Sequence, residues 1–370
     1  MKRIGIVSYN IYGNFTNYGS ALQSWALHQA VKAIPGFSPV LVDYCPEALK
    51  DMDPLQPMTK MWDAESRRMC ELSLPDIREN YRKFECFYTE RFERTKKKYI
   101  AANFDSVVSD ERLDGFLCGS DTIFCMDEFG FDDGYYANFP SMRGNAVAYA
   151  ASFGDPTLSE EALGILEKRL QNFRFLGLRE AHLLPYVRAH CTVPVQRVLD
   201  PTLLFSAEKY DELAASERLE PEQYLLYYSR QHNPEMERYA ETLAAKNGWK
   251  LAEISLRYDN AGKGHRMLYR AGVEEFLSLV KNAEYVVTNS YHGMIFAVLY
   301  QKPFTVFHRE QCCNKITELL RLLGLSDRSC RTGSEKPAPQ IDYEAVSQRI
   351  RTSRILSLRF LRKELEIFQR

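Results

Sequence analysis

The chain is predicted to fold as two successive parallel α/β domains, each Rossmann-like, and three observations predict it. Apolar runs of four to six residues recur along the 370 residues, each closing on a polar or glycine-bearing turn. A helical pattern follows most of these runs, and strand–helix alternation of this kind means a parallel sheet. The series then restarts near residue 224, in a chain too long for one ordinary core.

Ile4-Gly5-Ile6-Val7 is the first strand, and a loop leads from it to the helical pattern SALQSWALHQAVKAI. Val40-Leu41-Val42 ends at Asp43, and Gly115-Phe116-Leu117-Cys118 ends at Gly119-Ser120-Asp121. Ala146-Val147-Ala148-Tyr149 ends near Ser152-Phe153-Gly154, and Phe175-Leu176-Gly177-Leu178 ends at Arg179-Glu180. A hinge is expected at VLDPTLLF (198–205), where a strand runs into Asp200-Pro201. In the second half, YLLYY (224–228) ends at Ser229-Arg230 and KLAEISL (250–256) in a glycine-bearing loop. AEYVVT (283–288) ends at Asn289, and TVF (305–307) at His308. The divisions that follow are 1–200, 201–342 and a terminal helix in 343–370, expected to pack back on the first domain. That helix should carry Ile350, Ile355, Leu358, Leu361, Leu365 and Ile367 on one side. Residues 76–98 are expected as one aromatic and basic amphipathic helix. Its basic end faces either an anionic ligand or solvent, where Lys and Arg suit the helix dipole.

Lys plus Arg is 48 and Asp plus Glu is 49, a balance that gives no reason to expect nucleic acid as a partner. No apolar run reaches the length of a membrane span. The first residues, MKRIGIVSYNIYGN, hold too short an apolar run for a signal peptide. Nine cysteines without CxxC spacing, Cys312-Cys313 among them, point to reduced thiols in the cytoplasm. The Asn14-Phe15-Thr16 sequon is then expected to stay unmodified. There is no HExxH and no cluster of His and Cys ligands, so neither a metal nor another cofactor is expected.

In open parallel sheets, ligands bind beyond the carboxyl ends of the strands. The stretch TNSYHGMIF (288–296) lies at such an end and opens a helix. Asn289 or Ser290 can cap that helix, its free N–H groups can seat an anion, and Gly293 can let backbone approach a ligand. His292 then stands as a proton-transfer group in an anion seat. The alternative is a structural histidine bonded to a backbone carbonyl. Arg179, also at a strand end, suits a carboxylate or phosphate through its planar fork, or else an ion pair with the neighbours of Glu180 or a helix cap. Asn17, Tyr18 and Gly19 lie in the first strand–helix loop, which is neither GxGxxG nor Walker A. Asp121 is either a base or hydroxyl-binding carboxylate, or a helix cap.

Several stretches together resemble the polysaccharide pyruvyl transferase family: NYGSALQSWAL (17–27), DGFLCGSD (114–121), AYAASFG (148–154), GLRE (177–180), VLDPTLLF (198–205) and VEEFLSLVKNAEYVVTNSYHGMIFAVLYQKPF (273–304). The last block is the most specific. The resemblance implies a GT-B-like architecture and transfer of a pyruvyl group from phosphoenolpyruvate to a sugar, closing a ketal on a bacterial surface polysaccharide or its lipid-linked precursor. It implies His292 as the active-site histidine and Arg179 as the donor-binding arginine. The second half then holds the donor, with Ser229, Arg230, Lys263, Asn289, Ser290, Tyr291 and Gly293 joining Arg179 and His292. The first half holds the acceptor, with Asn17, Tyr18, Gly19, Asp121 and Ser152. Two departures stand out. Thr122-Ile123-Phe124 follows GSD where the family often has Gln-x-Trp, and Ser290-Tyr291 stands where many members carry a base before the histidine.

His292 suits the acid that protonates the donor's methylene carbon, because its reference pKa of about 6.5 lies near working pH. The helix N-terminus would disfavour its cation until a bound anion restores it. The other readings are a GT-B glycosyltransferase using a nucleotide sugar and an inactive carbohydrate-binding relative. Arg349, Arg351, Arg354, Arg359, Arg362, Lys363 and Arg370 give the terminal helix a basic excess suited to peripheral contact with the inner face of the cytoplasmic membrane.

Overall fold

The structure, a computed structural model, describes residues 1–13, 15–55, 63–156, 159–309, 313–330 and 340–369. Asn14 of the sequon, Cys312 and Arg370 lie outside the described residues.

Two sheets, each of six strands, follow one another along the chain. The first holds β1 (Lys2–Val7), β2 (Phe37–Leu41), β3 (Gly115–Cys118), β4 (Ala146–Ala151), β5 (Phe175–Leu178) and β6 (Val195–Arg197), in the order β2-β1-β3-β4-β5-β6. The second holds β7 (Tyr224–Tyr228), β8 (Lys250–Ile254), β9 (Arg266–Met267), β10 (Tyr285–Thr288), β11 (Phe304–Phe307) and β12 (Ser329–Cys330), in the order β12-β11-β10-β7-β8-β9. Every paired strand runs parallel, as in Ile6 opposite Leu117 and Val287 opposite Tyr227. The central strands are fully buried apolar runs because helices cover both faces. β6, β9 and β12 escape the sequence pattern. They are two or three residues long at or near sheet edges, where less burial is needed and polar residues are tolerated.

Both strand orders reverse direction once, between β1 and β3 and between β7 and β10. A crevice opens at each such switch point beyond the strand ends. The loops after β1 and β3 carry Tyr9, Asn17 and Asp121, and those after β7 and β10 carry Arg230, Ser290 and His292. The two crevices face each other across one shared apolar core. Leu22 and Ala26 of the Tyr18–Lys32 helix join Phe276 and Phe296 of the second half in it. Arg91 pairs with Glu274 and Lys83 with Glu275, tying the Leu74–Glu90 helix to the second half.

That helix ends at Glu90, so residues 76–98 are not one helix. The basic stretch beyond it lies alongside the first sheet through bridges from Leu41 to Arg94 and Tyr44 to Tyr99. Its charges meet protein carboxylates, Arg94 with Asp43 and Lys97 with Asp110. The C-terminal helix, Tyr343–Leu365, packs across the hinge onto the first sheet. The Ser357 hydroxyl accepts from the Leu199 N–H at 2.9 Å, and the Arg354 guanidinium donates to the carbonyls of Leu203 and Phe205. Phe360 packs on Gly177, where a Cβ would come within 2.9 Å of its ring. The buried side is Val346, Ile350, Phe360, Leu361 and Leu365. Ile355 is 57% exposed and Leu358 37%, so the expected stripe splits between the core and solvent. Among the described residues no helix is long and apolar enough to cross a membrane.

Candidate active site

His292 lies in the first turn of the Tyr291–Leu299 helix, which begins where a cap at Ser290 puts it. Ser290 caps it, its hydroxyl accepting from the Gly293 N–H at 3.2 Å. The opposing Tyr18–Lys32 helix is capped by Asn17, whose side chain accepts from the N–H groups of Gly19 and Ser20 at 3.0 and 3.4 Å. The two N-termini meet head-on. A Cβ at Gly19 would lie 1.9 Å from Nδ1 of His292, so only glycine lets the ring sit there.

The other ring nitrogen, Nε2 of His292, is 3.2 Å from Oδ2 of Asp200. That same oxygen accepts from Nη1 of Arg179 at 2.7 Å, and Nε of Arg179 donates to Glu180 at 3.0 Å. All four groups are buried. Burial alone would raise the Asp200 carboxyl, but His292 and Arg179 outweigh it and hold it well below the usual carboxylate range. The Thr202 N–H and hydroxyl donate to its other oxygen at 3.0 and 2.6 Å, completing its shell. The Tyr291 ring covers the Arg179 guanidinium at 4.7 Å from its centroid. Arg179 therefore sits behind Tyr291, with Nη2 buried and without a protein hydrogen bond.

A cavity of about 350 Å³ opens in front of His292, lined by Asp121, Arg230, Ser290, Tyr291 and Lys315 among others. Asp121 adopts a left-handed backbone, φ 70°, which aspartate tolerates better than most residues. A bridge to Ala151 fixes it where the β4–β5 register shifts between Ala148 and Ala151. Burial opposes its charge, yet His292, Arg179, Lys315 and the Ser20 hydroxyl hold its carboxyl low. Glu128 faces the same cavity, and its surroundings and the Asp121 charge push its carboxyl up. Arg230 is held by its backbone N–H donating to Asn289 at 2.8 Å and by Nη1 donating to the Thr16 carbonyl at 3.0 Å. The cavity thus brings together one imidazole, fixed cations and carboxylates held in different protonation ranges, the raw materials of acid–base chemistry on an anion.

The model of one family, polysaccharide pyruvyl transferase, matches residues 17–310, most of the chain and most of the residues that line this cavity, Tyr9 and Lys315 lying outside the match. The chain belongs to that family. No curated protein matches it. Among solved structures, it is similar to a Staphylococcus aureus protein, MnaA, solved with UDP: 12% identity, covering 95% of this chain and 87% of the other, TM-score 0.51. It is also similar to a structure from Listeria monocytogenes described as a UDP-N-acetylglucosamine 2-epimerase: 13% identity, 94% and 95% coverage, TM-score 0.50. At such identity the likeness is one of fold, the GT-B arrangement.

For this pyruvyl transferase family member, the structure brings His292, Ser290, Tyr291, Arg230, Asn17 and Asp121 to one cavity and sets Gly19 against the histidine. It sends others elsewhere. Lys263 is engaged by Glu237 and Glu241 of the Pro234–Asn247 helix and does not line the cavity, so it supplies no charge there. Gly293 makes room for Thr288 and Tyr228, not for a ligand, because a Cβ there would come within 2.7 and 2.9 Å of them. Asn289 holds the β7 loop, its amide donating to the Gln231 carbonyl at 2.6 Å. Ser152 is internal, its hydroxyl accepting from the Gly154 N–H at 3.1 Å. The Tyr18 hydroxyl donates to the Ala271 carbonyl and the Ser229 hydroxyl to the Gln231 carbonyl, and both residues line a second cavity. Arg179 takes the ion-pair alternative, with Asp200 and Glu180, because its guanidinium is too deeply buried to stay unpaired.

Asp200 and Lys315 escaped the sequence reading. Asp200 read as a hinge residue before Pro201, and only its 3.2 Å approach to His292 marks it. Lys315 lies on the Cys313–Leu323 helix, where nothing in the sequence separates it from a surface lysine. Among the described residues no group of three or more His, Cys, Asp or Glu side chains is placed to hold a metal ion.

Proposed function

We propose that the enzyme transfers a pyruvyl group from phosphoenolpyruvate to a hydroxyl pair on a bacterial surface polysaccharide or its lipid-linked precursor, forming a ketal. The observation that carries this reading is His292 clamped between Asp200 and Gly19, at a capped helix N-terminus, in a cavity also lined by Arg230 and Lys315. The donor's phosphate and carboxylate suit those two cations and the N–H groups of the helix turn. Asp200 sets a carboxylate 3.2 Å from Nε2 and so orients the ring. Nδ1 remains as the ring position nearer the Tyr18–Lys32 helix.

His292 then gives a proton to the methylene carbon, and the donor's C2 becomes electrophilic. The first acceptor hydroxyl adds its oxygen to C2 and loses its proton to a carboxylate, a role we give to Asp121 because it lines the same cavity as His292. The second hydroxyl displaces phosphate, which leaves with the remaining proton, and the ketal closes. We assign Arg179 the positioning of Asp200, with donor contact left to Arg230 and Lys315.

Isothermal titration tests the reading. Phosphoenolpyruvate should bind and, with acceptor, release phosphate. Binding of UDP-sugars without phosphoenolpyruvate binding would overturn it in favour of a nucleotide-sugar glycosyltransferase. We further propose that the enzyme is cytoplasmic and touches the inner membrane weakly, through Arg351, Arg359, Arg362 and Lys363 on the exposed side of the terminal helix. Co-sedimentation with anionic vesicles should appear at low salt and vanish at 0.5 M salt, where the Debye length is about half its physiological value.

A further inference from the structure

A second and larger cavity, about 580 Å³, opens on the other side of Arg230. Arg230 lines both compartments and is the partition between them. Both halves of the molecule contribute walls: Phe15, Tyr18 and Met69 from the first, Tyr228, Leu256 and Tyr269 from the second.

We propose that this compartment seats a neutral sugar ring of the acceptor, adjoining the sugar that receives the pyruvyl group, an inference that rests on the pyruvyl-transfer reading. Three features favour a neutral carbohydrate. Aromatic rings line the cavity, and they suit the C–H faces of a pyranose while polar groups at the edges suit its hydroxyls. The charges there do not favour an anion. Arg257 is already paired with Glu65 at 2.7 Å, and Asp63 adds a second carboxylate to the wall. The Tyr228 hydroxyl, buried in a residue 3% exposed, makes no hydrogen bond of good geometry, although Ser290 and Arg230 are close enough to interact with it. A buried hydroxyl in that state gains from a ligand hydroxyl. The position also fits, because a sugar chain entering past Arg230 would present its next ring to Asp121 and His292.

Saturation-transfer NMR on the full-length enzyme tests this, using methyl β-galactopyranoside, methyl α-mannopyranoside, N-acetylglucosamine and UDP as probes. At least one of the three sugars should receive saturation on its ring C–H protons. Ser66→Trp, placed to fill the cavity from the half-buried face of the Ala64–Leu72 helix, should reduce that signal more than tenfold. Tyr269→Leu, which stays apolar but removes the ring, should weaken sugar binding about tenfold and serves if the tryptophan variant does not fold. Both variants should keep the thermal stabilisation given by phosphoenolpyruvate. Saturation of none of the sugars, a signal unchanged in both variants, or UDP alone competing for the site would overturn the proposal. Absence of phosphoenolpyruvate stabilisation in the unmodified enzyme would instead sink the donor reading, which the sugar signal does not measure.

Discussion

The Tyr18–Lys32 and Tyr291–Leu299 helices begin in the same way and serve differently. Each follows a strand beside a switch point, and each is capped by a side chain that accepts from the first-turn N–H groups. The first helix offers a glycine where the second offers an imidazole, and the ring of one fills the space left by the other. The first half gives room and the Asp121 carboxylate. The second gives the His292 imidazole and, through Arg230 and Lys315, the cations. A helix N-terminus is thus a general anion seat, and which residue occupies its first turn decides what chemistry happens there.

Removing the proton carrier should break that division of labour most severely. His292→Ala should lower phosphate release about 100- to 10,000-fold, the usual worth of a general acid. Circular dichroism should show the fold intact, and activity within about threefold of the unmodified enzyme, on the same scale, would make His292 structural. Asp200→Ala should strike both stability and activity. It strips the charge from a buried pair, costing about 3–5 kcal/mol in urea denaturation, because Arg179 is left unpaired. Retained stability would show that Glu180 alone satisfies the guanidinium.

Gly19→Ala tests the contact between the two helices. In a free helix the change would stabilise by about 0.5–1 kcal/mol. Here the new Cβ meets His292, so turnover should fall about 100-fold, the cost of a misplacement near 1 Å. Combining Gly19→Ala with His292→Ala should recover the helix gain, since the clash is gone. Additive losses in the double variant would refute the contact.

The acid side of the site sets a milder pH effect. Asp200 and Asp121 are both held below the usual carboxylate range, so the stability they contribute is present above about pH 4, their ordinary unfolded value. It is lost as pH falls below that value toward their folded pKa. Urea midpoints at pH 7, 4 and 3 should drop at the acid end, and Asp200→Asn should flatten that drop. The smallest effect is expected at Lys263. Lys263→Ala should leave donor binding and turnover unchanged, since its charge is spent on Glu237 and Glu241. A raised donor KM in that variant would return it to the site.

Much of the scaffold was legible residue by residue. β3, β5 and β7 fall where apolar runs end at polar turns, because buried parallel strands need continuous apolar residues. Arg230, Ser290, His292 and Asp121 were singled out by the rule that ligands gather beyond strand ends, and they line one cavity because that rule depends only on topology. It misplaced Ser152 and Gly293 because a strand end also needs residues for its own turn and packing. Lys263 failed for a different reason, since a loop lysine looks the same in sequence whether or not carboxylates from the Pro234–Asn247 helix reach it.

The sequence by itself determined two parallel α/β halves, a histidine at a helix start and membership of the family whose motifs run in order from residue 17. Only the tertiary structure decided that Asp200 holds that histidine, that Arg179 stands behind Tyr291, and that Gly19 is glycine for the sake of a ring 273 positions away. Local propensity and periodicity act over a few residues, whereas these contacts join separate halves of the chain. They exist because two sheets pack on a common core and bring their switch points face to face.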